Sequence, residues 1–292
     1  MQRITIIGSR GQLGHDLTES LTAAGYQVTG LTHQQISIED PDLITDALGQ
    51  TPPDLIINTA AYNKVDLAEK EPEIAYAVNA LGPRNLAHYC SEKNICLMHI
   101  SSDFVFGLDT SRQLPFQEQE APGPVSAYGL SKLAGEYFVR ALCPQHYVIR
   151  TCGLYGVAGK TGNGNFVETM LRLGKERDEL SIINDQHCTP TATKDLAAAL
   201  TRLIETNQFG LYHATCQGQA TWYEFACTIF ELAGISVKTH AITTEQYNAP
   251  ADRPRFSVLD CSRLTAVIGG SIPDWKHSLS CYLESQGEIS SK

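Results

Sequence analysis

A short apolar strand that runs straight into three spaced glycines and then into a helix leaves few folds open to this chain. Arg3 to Ile7 is a β-branched run with the pattern of a buried strand. Gly8-Ser9-Arg10-Gly11-Gln12-Leu13-Gly14 follows at once, and Leu13, Leu17 and Leu21 then recur at helical spacing until Gly25. Three glycines alone could be turn chemistry. Between a strand and a helix they open a βαβ unit of the dinucleotide-binding kind. Gly8, Gly11 and Gly14 let the backbone approach a pyrophosphate, and the helix start offers free N–H groups and a positive dipole. The spacing is Gly-x-x-Gly-x-x-Gly rather than Gly-x-Gly-x-x-Gly.

The remaining composition narrows the class. The 292 residues are 42% hydrophobic and 18% charged, enough for one large domain or two unequal lobes. A net charge of −10 argues against a nucleic-acid or anionic-membrane surface. No apolar run approaches about 18 residues, so no membrane span is expected. No basic region leads into a long apolar segment at the N-terminus, so no signal peptide is expected and the location is read as cytoplasmic. The nine cysteines include no Cys-x-x-Cys pair, which suits reduced, mostly buried thiols and no zinc site.

Tyr26 to Thr32 reads as the second strand. An acidic residue at its end would suit the ribose of NAD and an arginine the phosphate of NADP. Thr32 and His33 stand there instead, so the cofactor is NADPH or NADH, with Thr32 tolerating either and His33 weakly favouring NADP. Asp54 to Asn58 is the next strand and ends in Thr59-Ala60-Ala61-Tyr62-Asn63. Small residues there make room for a flat cofactor, or simply pack a βα turn closely. Asp66 to Glu69 and Tyr76 to Asn79 belong to helical stretches. Asn79 is placed to hydrogen-bond backbone near the site, or to be a satisfied core amide.

Ile95 to Ser101 is a further apolar strand and ends in Ser101-Ser102-Asp103. Residues 108 to 126 form a loop at the cleft rim. The next helix carries Tyr128 and Lys132, four apart and therefore on one face. A lysine beside a phenol favours phenolate and lowers the tyrosine pKa, which would let Tyr128 move a proton near neutrality. Ser102 would hold a substrate oxygen within reach. The plain alternative is an ordinary exposed helix pair. Leu133, Tyr137 and Val139 read as the buried side of this helix, and Tyr147 to Arg150 as one more strand.

In the C-terminal half, Asn163-Gly164-Asn165-Phe166 opens a helix to about Lys175, with Asn165 either a substrate contact or an N-cap. Ser181 to Asp185 reads as a strand, and Lys194 to Thr206 as a helix returning to the nucleotide domain. Thr221 and Glu224 form a capping box. Arg253 and Arg255 lie in a polar loop and suit a diphosphate through bidentate contacts, or sit in solvent. The tail from Glu284 reads as frayed.

The chain resembles an extended short-chain dehydrogenase/reductase, and within that superfamily the dTDP-4-dehydrorhamnose reductases. The resemblance rests on GxxGQLG at 8–14, NTAAYNKVDLAEKEPEIAYAVNA at 58–80, ISSDFVFG at 100–107 and YGLSKLAGE at 128–136. NFVETMLRL at 165–173, SIINDQHCTPT at 181–191 and RPRFSVLD at 253–260 extend it over nearly the whole chain. It implies a catalytic set of Ser102, Tyr128 and Lys132, with Tyr128 as general acid and Lys132 also on the nicotinamide ribose. It implies cofactor contacts from Gly11, Gln12 and Leu13 at the pyrophosphate and from Ala61, Tyr62 and Asn63 along the cofactor. Ser102 and Asp103 would touch the sugar. A nucleotide-sugar substrate follows, and a homodimer is allowed.

Departures from the family pattern matter. Gly153 stands where the family has a substrate-contacting tryptophan, and Ser37 where many members have an aspartate. Some members dimerise through a magnesium site of glutamates. Asp16 matches one such position in type but Lys194 falls on another, so no metal is predicted.

The expected architecture is α/β: a Rossmann-like doubly wound parallel sheet over residues 1–160, with a returning segment near 181–206. A smaller mixed α/β substrate-binding lobe would come mostly from 161–292. The expected reaction is NAD(P)H-dependent reduction of dTDP-4-dehydrorhamnose to dTDP-L-rhamnose. One alternative is reduction of another nucleotide-linked 4-keto sugar. Another is a non-catalytic NADP-binding regulatory subunit like that of methionine adenosyltransferase.

Overall fold

In a computed structural model, which describes residues 2–49, 52–161 and 164–289, β1 (Arg3–Ile7) is the strand on which the chain turns. It pairs in parallel with β2 (Gln27–Leu31) on one side and β3 (Leu55–Asn58) on the other. β4 (Cys96–Ile100) and β5 (His146–Arg150) continue outward from β3. The strand Gly210–His213 closes the far edge against β5. All pairs are parallel, and the order reverses between β1 and β3. That reversal opens a crevice at the carboxyl ends of the strands, where ligands of such sheets sit.

The strand sequences explain why both faces are covered. Ile4, Ile6, Leu55, Ile57, Met98, Tyr147 and Ile149 face one core. Ile7, Ile56, Leu97 and Val148, in the alternate positions, face the other. Two-sided burial is what near-continuous apolar runs demand of a parallel sheet. The first core is covered by α1 (Gln12–Ala23) through Leu13, Leu17 and Leu21, and by the helix Thr193–Glu205. The second is covered by α2 (Pro41–Leu48), the helix Gly82–Lys93 and the helix Ala127–Leu142.

The helix read from the sequence as Lys194 to Thr206 is Thr193–Glu205, whereas the strand read at Ser181 to Asp185 stays outside the large sheet. Thr193–Glu205 docks on α1, where Ser20 and Thr201 share a 2.8 Å hydrogen bond, and leads into the edge strand Gly210–His213. Glu179–Ile183 instead pairs in parallel with Lys238–Ile242, outside the large sheet. Of the tail read as frayed from Glu284, the helix Trp275–Ser285 takes in the first two residues, and 290–292 lie outside the described residues. Trp275–Ser285 is helical with Trp275, Leu279 and Leu283 buried, and Glu288 pairs with Lys175 at 2.8 Å.

Candidate active site

The glycine turn is built by close approach. Gly8 has φ +84°, and a Cβ there would meet Thr59 Oγ1 at 2.7 Å and Ala60 N at 3.0 Å. Gly14 presses on Gly8 O, so α1 starts hard against β1. Gly11 caps α1 without any side-chain acceptor, which leaves the first N–H groups of the helix free for an anion. The turn therefore fits a dinucleotide pyrophosphate. Leu13 is buried in the core, so only its backbone is available. Gln12 is already engaged: its Oε1 accepts from Gly156 N at 2.8 Å and Asn165 Nδ2 at 2.9 Å. Thr32 directs its hydroxyl and N–H to Gln35 Oε1, both at 2.9 Å, in the turn that ends β2.

Residues 59–63 leave β3 beside this turn. Ala61 and Tyr62 are half-buried and Asn63 is exposed. Asn79 holds the segment: its Oδ1 accepts from Tyr62 N at 2.8 Å and its Nδ2 donates to Tyr62 O at 3.0 Å. The same amide donates to Ser131 Oγ at 3.0 Å, and Ser131 donates to Tyr128 O at 2.7 Å. Asn79 is thus both a satisfied core amide and a tie to the tyrosine helix. It sits in a π-helical turn, Ala77–Leu81, a kind of bulge found often at functional sites.

The helix Ala127–Leu142 starts at Ser126, whose Oγ accepts from Gly129 N at 3.2 Å, and stops before Pro144. A Cβ on Gly129 would meet Phe104 O at 2.3 Å and one on Gly135 would meet Asn79 O at 2.2 Å, so the helix lies on both segments. Its buried stripe is Tyr128, Lys132, Glu136 and Val139. Tyr137, read from sequence as buried, is 51% exposed, because the polar stripe takes the inner face.

Ser102, at the end of β4, donates to Asp103 Oδ1 at 3.0 Å, accepts from Phe104 N at 3.1 Å and lies within reach of the Tyr128 hydroxyl. Burial raises the Tyr128 phenol above its ordinary value; the Ser102 bond opposes this, and the Asp103 charge adds to it. That direction is opposite to the lowering expected from sequence, because burial dominates and the Lys132 ammonium is turned to Ile100 O. Lys132 is only 2% exposed and donates to Ile100 O at 2.6 Å. Burial brings its ammonium down to about 8, with Glu136 holding it up.

Asp103 does not open onto a sugar pocket. It is 3% exposed, and its Oδ2 accepts from Cys152 Sγ at 2.9 Å and Ser257 Oγ at 2.6 Å. Burial raises its carboxyl, and the three side-chain donors oppose that. Asn165 caps the helix Phe166–Glu176 by accepting from Glu168 N at 2.9 Å, while Asn163 lies outside the described residues. Arg253 pairs with Asp66 at 2.9 Å, and Arg255 pairs with Asp185 and Glu245. Both arginines border a cavity of about 420 Å³ that also takes in Gln186 and Tyr247. Gly153 has φ +54° with Pro190 Cα 3.2 Å from a Cβ position, so the backbone itself resists a side chain there. Asp16 Oδ2 accepts from Thr193 Oγ1 at 2.5 Å and its Oδ1 meets His15 Nδ1 at 3.1 Å, and Glu19 completes that surface cluster.

Sequence reasoning missed Glu136. Its carboxylate is forked by Arg150 (2.9, 3.2 and 2.7 Å) and accepts from Ser101 Oγ at 2.5 Å, with both charges fully buried. Its spacing of four from Lys132 was a visible signal.

The model of the family described as RmlD substrate binding domain matches residues 1–287. This chain belongs to that family. Among RmlD-type relatives, a dTDP-4-dehydrorhamnose reductase of Mycolicibacterium smegmatis is 37% identical over 95% of this chain and 84% of its own. The spore coat polysaccharide biosynthesis protein SpsK of Bacillus subtilis is 36% identical over 97% of this chain and 98% of its own. The crystal structure of a dTDP-4-dehydrorhamnose reductase of Bacillus anthracis in complex with NADP superposes with a TM-score of 0.92, at 36% identity, covering 97% and 99% of the two chains. The α/β fold expected from the sequence is therefore that of the RmlD family.

Proposed function

We propose that this chain reduces dTDP-4-dehydrorhamnose to dTDP-L-rhamnose with NADPH or NADH. The observation that carries the reading is the meeting of Ser102, Tyr128 and Lys132 beside an open glycine turn, in a chain with this family's sequence throughout.

The Gly8–Gly14 turn and the free start of α1 hold the pyrophosphate, and Ala61, Tyr62 and Asn63 border the cofactor path. Thr32 lies toward the adenosine ribose. No carboxylate ends β2, which supports NADPH. The cofactor supplies the hydride to C4 of the keto sugar. Tyr128 gives the proton to the forming alkoxide. Its raised pKa keeps it in the protonated form that reduction needs. Lys132 places positive charge beneath the ribose, and Ser102 orients the Tyr128 hydroxyl and the sugar carbonyl. Arg253 faces the substrate diphosphate once it exchanges Asp66 for phosphate. Nine free cysteines suit a reducing compartment such as the cytoplasm.

Gly153 favours a second reading, reduction of another nucleotide-linked 4-keto sugar, because an aromatic platform is missing where the backbone cannot readily carry one. NADPH and NADH oxidation is measured with dTDP-4-dehydrorhamnose, and the sugar product is identified. Formation of dTDP-L-rhamnose supports the first reading. Cofactor binding with no turnover of this sugar defeats it.

A further inference from the structure

The helix and the strand end that carry the three candidate catalytic groups are joined by a closed ring of hydrogen bonds. Lys132 Nζ donates to Ile100 O at 2.6 Å. The next peptide N–H, that of Ser101, donates to Ile149 O at 2.6 Å. Ser101 Oγ donates to Glu136 Oε1 at 2.5 Å, and Glu136 stands one helical turn beyond Lys132. Helix, carboxylate, serine, carbonyl and ammonium close on themselves. Arg150, the last residue of β5, fixes the carboxylate from outside the ring with three contacts, and its Nη1 lies 3.4 Å from His213 Nε2.

We propose that Glu136 is a positioning residue for the reduction: through Ser101 it sets the peptide that holds Lys132 and the serine, Ser102, that follows it. The proposal rests on the reading of Tyr128, Lys132 and Ser102 given above. A rigid frame is needed because a displacement of a fraction of an ångström at Ser102 or Lys132 degrades the reacting geometry. A buried carboxylate needs donors besides its ion-pair partner, and the one Glu136 takes is the residue between the Lys132 acceptor and Ser102.

Glu136 also acts by charge. The ionisable groups around Lys132 are Glu136 and Tyr128 on its own helix and His99 on β4, with Asp103 and Cys152 beyond Tyr128. Around Glu136 they are Arg150 and, behind it, His213. Burial holds both histidines neutral, so Glu136 is the anion that keeps Lys132 charged.

The test uses the whole chain with NADPH and the keto sugar. Glu136→Gln should lower kcat about tenfold or more and move the alkaline limb of the pH profile to lower pH by roughly one unit. A wild-type kcat and an unmoved limb in a folded Glu136→Gln protein overturn the proposal. If that variant does not fold, Ser101→Ala decides, since it leaves the Glu136–Arg150 pair whole. It should lose about tenfold in kcat with little change in substrate KM, and Ser101→Thr should restore most of the loss. Wild-type kcat in Ser101→Ala overturns the clamp. Absence of turnover in the unmodified chain defeats the proposed function instead. NADPH affinity, expected to fall about threefold in Ser101→Ala, then becomes the readout, and an unchanged affinity overturns the clamp.

Discussion

Ser102 gives its hydroxyl hydrogen to Asp103, 3.0 Å away, and accepts the Phe104 N–H at 3.1 Å, which fixes its oxygen beside Tyr128. Asp103 is in turn held by Cys152 from the end of β5 and by Ser257 from the C-terminal lobe. The carboxylate is a hub that orients the serine. In Asp103→Asn, one acceptor becomes an NH₂ that faces donors. Stability should fall by about 1–3 kcal/mol and kcat by about tenfold to a hundredfold. Thermal melting and steady-state kinetics check this. An unchanged melting point with wild-type kcat would remove the hub from the account.

Tyr128→Phe should lose most turnover, about a thousandfold, while NADPH still binds, as titrated by fluorescence. The pH dependence should come from Lys132 rather than from Tyr128. Lys132 is charged below about 8 and neutral above. NADPH affinity and turnover should therefore hold toward neutral pH and decline as pH rises past that value. A decline on the acid side near neutrality would show a tyrosinate in the resting enzyme and contradict the raised phenol.

Local features of the sequence were legible, and distant partners were not. Strand, glycine turn and helix follow one another within Arg3–Ala23, so their roles are written in adjacent residues. The Tyr128–Lys132 spacing is equally local. The buried face of that helix was read only in part: Val139 is buried and Leu133 packs against a core, but Tyr137 is exposed because it lies on a stripe rotated from the inner one. The inner stripe is Tyr128, Lys132 and Glu136, which periodicity of apolar residues passes over. Asp103 was taken for a sugar contact because Ser257, which occupies it, lies 154 residues away. The direction of the Tyr128 shift depends on burial, a property of the packed chain and not of the motif.

His213 should govern part of the acid stability. It is fully buried, and burial with the Arg150 charge brings its imidazole down to about 3. In the unfolded chain it titrates near 6.5. Above that pH both states are neutral and the histidine carries no penalty. Between about 6.5 and 3 the unfolded state binds the extra proton, so stability declines as pH falls, by up to about 1.4 kcal/mol per unit from this group. His213→Gln should flatten the slope of unfolding free energy against pH in that window, measured by urea denaturation. An unaltered slope would assign the acid transition to other groups, of which His99 is the next buried imidazole.

Arg253 joins the C-terminal lobe to the nucleotide domain. Its Nη2 meets Asp66 at 2.9 Å, its Nη1 donates to Ala251 O at 2.9 Å, and Asp66 also accepts from Ala251 N at 3.2 Å. Arg253 lines the cavity of about 420 Å³. Two roles can be separated by two variants. If Arg253 serves the substrate diphosphate, Arg253→Ala should raise the nucleotide-sugar KM about tenfold with kcat within about threefold. Asp66→Asn should then leave KM unchanged or lower it, because it frees the guanidinium. If the pair only fastens the loop, both variants should raise KM alike. The first pattern is expected, since the arginine is already at the cavity wall and an aspartate is a weaker claimant than a doubly charged diphosphate. Steady-state kinetics on the two variants, at fixed saturating NADPH, distinguishes them.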